Sequence, residues 1–139
     1  MKFLLDTNVV SEPLKPRPNP NVTRWLHTAD EDQLFISVVT LTELRYGTER
    51  LATGDRRKRL EEWLANELPL RFEGRILIVD SNVADTCGRL VARSESLGRP
   101  IEPRDAYIAA TAEVHNLMLV TRDVSDFQPA LQSVLNPWI

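Results

Sequence analysis

The apolar positions follow two rhythms. Four short runs are nearly unbroken, Phe3-Leu4-Leu5, Leu34-Phe35-Ile36-Ser37-Val38, Ile76-Leu77-Ile78-Val79 and Leu117-Met118-Leu119-Val120, and their length suits strands buried on both faces. Elsewhere the apolar residues recur every three or four positions, as on one face of a helix. That spacing predicts a helix over Asn21 to Ala29 burying Val22, Trp25 and Leu26, and a helix capped by Thr40 with Leu41, Leu44, Thr48 and Leu51 on its stripe. Glu43 lies on the adjoining face of the second helix, with Gly47 one turn on.

After Thr53-Gly54-Asp55, a helical pattern through Leu60, Trp63, Leu64 and Leu68 is expected to end at Pro69. A longer helix from about Asn82 to Leu97 carries Val83, Cys87, Leu90, Val91 and Leu97, and is stopped by Gly98 and Pro100. Pro103 opens an Ala-rich helix in which Asp105 shares a face with Ile108, Ala109 and Ala112, so its carboxylate is expected to point inward. Pro13 to Pro20 holds four of the nine prolines and reads as an extended surface loop. A last short piece surrounds Val134 and Leu135.

Strands alternating with helices predict an α/β fold: three layers, α/β/α, around a central, mostly parallel sheet of four to five strands. At 139 residues the chain fits one domain, 1–139. In such folds the working crevice lies beyond the C-terminal ends of the strands. Asp6 and Asp123 both follow a strand there.

Composition narrows the chemistry. The single cysteine, Cys87, rules out an intrachain disulfide and a Cys-based zinc site, and two histidines are too few for most histidine-led cages. A reducing, cytoplasmic setting is expected. Asp6 cuts the opening apolar run short of a signal peptide, and no run is long enough to span a membrane. A net charge of -3 argues against a protein that coats nucleic acid non-specifically. It does not exclude an enzyme on nucleic acid, because acids that hold metal ions lower the formal charge.

Four acids recur with one local logic: Asp6 after the first strand, Glu43 early in a helix, Asp105 at a helix start and Asp123 after the fourth strand. If they converge, like charges about 4 Å apart repel by roughly 4 kcal/mol per pair at an effective dielectric near 20. Protons or a cation must then offset them. Magnesium suits such a group, because it prefers oxygen ligands and takes only one or two carboxylates directly.

In order along the chain stand Leu4-Leu5-Asp6-Thr7-Asn8-Val9-Val10-Ser11-Glu12-Pro13, Ser37 with Thr42-Glu43-Leu44-Arg45-Tyr46-Gly47, Asp105-Ala106-Tyr107-Ile108-Ala109-Ala110-Thr111-Ala112, Thr121-Arg122-Asp123 and Asn136-Pro137-Trp138. In these motifs the sequence resembles the PIN-domain toxins of bacterial toxin-antitoxin pairs, most closely the FitB-like branch of the VapC toxins. The resemblance covers nearly the whole chain. It implies a PIN fold and a metal-dependent endoribonuclease that hydrolyses RNA phosphodiester bonds. It also implies a magnesium site, with manganese able to substitute, formed by Asp6, Glu43, Asp105 and Asp123, the principal ligands being Asp6 and Asp105. Thr121 and Asn8 are the implied supporting residues. Related sequences place the last acid at the position of either Asp123 or Asp126. The implied partners are an RNA substrate, a VapB-like antitoxin through which DNA is bound indirectly, and a second copy of the chain in a homodimer.

Plainer readings exist for each feature. Asp6-Thr7-Asn8 alone is a helix cap, and Asp105 alone a first-turn acid favoured by the helix dipole. Arg56-Arg57-Lys58-Arg59 could bind RNA, but the pairs Arg57 with Glu61 and Lys58 with Glu62 read first as a solvated helix face. His115 with Asn116 reads as a helix C-terminus, His27 has no visible partner, and Trp25, Trp63 and Cys87 fall on apolar stripes. Two other functions compete with ribonuclease. One is a non-catalytic subunit that holds a DNA-binding partner. The other is a metal-dependent phosphatase acting through Asp6, which wants a second aspartate where Asn8 stands.

Overall fold

The computed structural model describes residues 1–139. Its core is a five-stranded, wholly parallel sheet of β1 (Phe3–Leu5), β2 (Leu34–Ser37), β3 (Ile76–Leu77), β4 (Met118–Val120) and β5 (Val134–Leu135), in the order β3-β2-β1-β4-β5. The chain winds outward from β1 in one direction through β2 and β3, and then in the other through β4 and β5. Between β1 and β4 the winding reverses, which leaves a crevice at their C-terminal ends.

Strand side chains alternate between the faces, and here both faces are covered. Leu4 and Leu119 enter one core with α6 (Ser81–Ser96) and α7 (Pro103–Val114). Their neighbours Leu5 and Val120 enter the other, with Val9 and Val10 of α1 (Thr7–Ser11) and Leu44 of α3 (Val38–Glu49). Completing that second layer are α2 (Pro20–Thr28), α4 (Asp55–Glu62) and α5 (Leu68–Arg71). Each fully buried leucine contributes about 1.5–3 kcal/mol, so a strand of three residues suffices when two of them are buried. The layers are the expected α/β/α sandwich, and the segment around Val134 and Leu135 supplies the fifth strand.

Several local expectations are corrected. Ser37, not Thr40, caps α3: its hydroxyl accepts from Val39 N at 3.0 Å, and Thr40 is buried within the helix. Pro69 does not end its helix. Trp63–Glu67 form a wider π turn in which Leu68 N bonds Trp63 O, and the helix runs on to Arg71. The widened turn lets a residue without an N–H sit where no donor is needed. Leu97 is exposed at the end of α6, where buried Ser94 takes the inward position instead. Ile78 and Val79 fall outside β3, and Ile78 is exposed. The proline loop begins with a 3-10 turn, Glu12–Leu14.

The turns that aim the site are simple. Asp6 caps α1, and Glu102 caps α7 by accepting from Arg104 N at 3.0 Å and Asp105 N at 3.3 Å. Asn116, at φ 54, closes α7 as the expected C-terminal pair with His115 and turns the chain into β4. No helix is long and apolar enough to cross a membrane.

Candidate active site

Asp6 leaves β1 at the reversal point and is buried to 6% exposure. Its Oδ1 accepts from Thr7 N at 2.8 Å, while its Oδ2 accepts from the hydroxyl of Thr121 at 2.7 Å. Thr121 follows β4 and is itself fully buried, and its N–H bonds Leu135 O of β5 at 2.9 Å. The threonine oxygen also accepts from Asp123 N at 3.1 Å, so one hydroxyl joins the aspartate of the first strand to the turn after the fourth.

The neighbouring acids are held in turn. Glu43, half-buried on α3, accepts at Oε1 from the Thr7 hydroxyl at 2.7 Å. Asn8 Nδ2 donates to Asp123 Oδ2 at 3.1 Å, and Asn8 Oδ1 accepts from Arg122 N at 3.4 Å. Asp105, on the first turn of α7, lines a cleft of about 640 Å³ with Glu43, Asp126, Arg99 and Arg104.

Electrostatics register how close these acids stand. Burial pushes the Asp6 carboxyl up to about 6 against the pull of its two hydrogen bonds, and the charges of Glu43 and Asp123 add to the rise. Asp105 is pushed up to about 7 by burial first and then by Asp6, Glu102, Asp126 and Glu43. Asp6 thus feels Asp123 and Asp105 feels Asp126, which gives the two candidates for the last acid different neighbours. No group of three or more acids, histidines or cysteines stands as a ready-made metal cage. An all-oxygen set of two desolvated carboxylates with further acids around them still fits magnesium, which binds one or two carboxylates and keeps its waters.

A family model described as PIN domain matches residues 3–128. The chain belongs to the PIN-domain family. Among PIN-domain relatives, Toxin FitB of Neisseria gonorrhoeae is 41% identical over 136 residues, 98% of each chain. The VapC ribonuclease Y4jK of Sinorhizobium fredii is 36% identical over 98% of this chain and 97% of its own. A solved structure of FitAB bound to a DNA fragment superposes with a TM-score of 0.93 at 38% identity, covering 99% of this chain and 96% of that one.

Sequence reasoning missed three features of this PIN domain. The Thr7 hydroxyl fixes Glu43, although Asp6-Thr7-Asn8 reads as a cap. Arg99 and Arg104 bring positive charge to the cleft of Asp105, and only their nearness in sequence to that acid hints at it. In the basic tract, Arg57 pairs with Glu61 at 2.9 Å as expected, but Lys58 makes no ion pair with Glu62, and Arg57 pairs with Glu49 as well.

Proposed function

We propose that this PIN domain is a magnesium-dependent endoribonuclease, the toxin of a toxin-antitoxin pair, with Asp6, Glu43, Asp105 and Asp123 as its catalytic acids. One observation carries the reading. Asp6 and Asp105, 99 positions apart in sequence, stand near enough for the charge of Asp6 to oppose that of Asp105, and burial with surrounding acids pushes both toward protonation. Carboxylates so placed favour a divalent cation, and the relative named VapC ribonuclease supports RNA as the substrate.

Asp6 and Asp105 would hold the metal, and manganese can replace magnesium at an all-oxygen site. When bound, such an ion supplies positive charge beside the phosphorus and lowers the pKa of a water. Thr121 keeps Asp6 in one orientation. Glu43, fixed through Thr7, orients the attacking water and accepts its proton, and Asn8 holds Asp123 toward the same crevice. No histidine base is required. Asn8 stands where the phosphatase reading needs an aspartate, and its amide is already committed to Asp123 and Arg122.

Its partners follow from the same reading: an RNA substrate, a VapB-like antitoxin and a second copy of this chain in a homodimer. With a charge of -3 the chain itself is poorly suited to DNA. The DNA contact therefore belongs to the antitoxin, and the solved relative FitAB is bound to a DNA fragment. The test is cleavage of RNA by purified protein with magnesium, with manganese and with chelator. Metal-dependent cleavage abolished by Asp6→Asn is the expected result. Protein that binds neither metal and cleaves no RNA would instead be the non-catalytic subunit.

A further inference from the structure

Four consecutive cations open α4, and the fold separates them. Arg57 is tied down, its Nε 2.9 Å from Glu61 and its Nη2 2.6 Å from Glu49, with Nη1 donating to Leu51 O at 3.2 Å. Lys58 is exposed and does not line the adjacent cleft. Arg56 and Arg59, three positions apart and so on one helix face, do line it, and neither forms an ion pair.

This cleft, of about 820 Å³, runs between α4 and the segment after α1. Glu43 lies on its wall and also on the wall of the cleft that holds Asp105, so the two spaces meet at this one candidate catalytic acid. Leu60 and half-buried Trp63 add apolar surface. The remaining charged groups are Lys15, held at 2.9 Å by buried Glu12, and the acids Glu62 and Glu67. Arg56 and Arg59 are therefore its uncommitted cations.

We propose that this cleft binds single-stranded RNA flanking the cleaved bond, with phosphates on Arg56 and Arg59 and a base against Trp63. The inference rests on the ribonuclease reading above. Guanidinium groups beside an aromatic face are the chemistry that holds a single strand without reading its sequence. The need is local: a strand reaching the acids at Glu43 is repelled unless cations hold it on the way. Lys58, exposed and off the cleft, keeps the plainer role of a solvated helix face.

The test compares Arg56→Ala/Arg59→Ala with Lys58→Ala, which removes charge from the same tract off the cleft. Binding is read by fluorescence anisotropy on the full chain in magnesium, using a phosphorothioate single-stranded RNA of about ten nucleotides. The double variant is expected to bind roughly tenfold more weakly, with a plot of log affinity against log salt shallower by about 1.4, near 0.7 for each lost phosphate contact. Its KM for RNA rises while kcat holds, and Lys58→Ala changes neither. Equal losses in both variants, or unchanged RNA affinity in the double variant, overturn the proposal. So does loss of binding to a partner protein alone, which assigns the cleft to protein. Wild-type protein that neither binds nor cleaves RNA overturns this proposal together with the ribonuclease reading; cleavage with an unaffected double variant overturns this one only.

Discussion

Thr121 donates a 2.7 Å hydrogen bond to Asp6 across 115 positions of sequence, with both residues buried. Thr121→Val keeps the shape and removes the donor, leaving one oxygen of a buried carboxylate unsatisfied. The expected cost is about 1–3 kcal/mol of stability by chemical denaturation. Magnesium affinity by calorimetry is expected to fall about 10–100-fold, as when a ligand loses its orienting partner. Unaltered metal affinity would show that the hydroxyl serves packing only.

Asp6→Asn and Asp105→Asn each remove a charge with little change in volume. Each is expected to lower RNA cleavage by at least about a hundredfold, beyond what loss of a supporting contact causes. Because both native carboxyls resist ionisation, the metal-free variants are expected to melt no lower than wild type at neutral pH. A lowered melting temperature together with retained cleavage would count against a metal role for these acids.

The pH dependence has a definite sign. Both carboxyls lie above the ordinary aspartate value of 3.8, at about 6 and about 7, so over that interval the folded protein holds more protons than the unfolded chain. Their contribution to stability is greatest below 3.8 and declines as pH rises through about 6 and then about 7. Metal binding requires the deprotonated acids, so affinity climbs through the same window. Melting curves with and without magnesium from about pH 5 to about pH 8 should therefore diverge with rising pH, and the divergence should vanish in Asp6→Asn/Asp105→Asn.

The two late aspartates separate by whom they disturb. Asp126 raises Asp105, whereas Asp123 raises Asp6 and receives the Asn8 amide. In metal-free protein, Asp126→Asn is expected to lower the titration midpoint of Asp105 and Asp123→Asn that of Asp6, as followed by carboxyl NMR shifts. The larger loss of cleavage is expected for Asp123→Asn, the acid tied to the Asp6-Thr7-Asn8 turn. The reverse order would move the fourth catalytic place to Asp126.

Unbroken apolar runs made the strands legible because both faces of the sheet are covered, so Leu4 and Leu5 are equally buried on opposite sides. Three of the four acids were legible in position because a carboxylate after a strand or in a first helical turn must point at the end of the sheet. What escaped depends on contacts between distant segments. The bond from Thr7 to Glu43 spans 36 positions and has no periodic signature. Pro69 misled because a π turn is set by how Trp63 and Leu68 pack, not by local propensity. The division among Arg56, Arg57, Lys58 and Arg59 needed Glu49 from the preceding helix to become visible.

Because the sheet starts at its middle strand, the crevice draws its floor from both extremities of the sequence. A nascent polypeptide emerging from the ribosome displays Asp6 early but has no hydroxyl to steady it until Thr121 follows, and Thr121 is itself anchored only once Leu135 arrives. Domains fold largely as units during synthesis, and long-range pairings form last. For a protein whose activity would attack RNA, the order of assembly postpones a competent crevice until translation of the domain is almost finished.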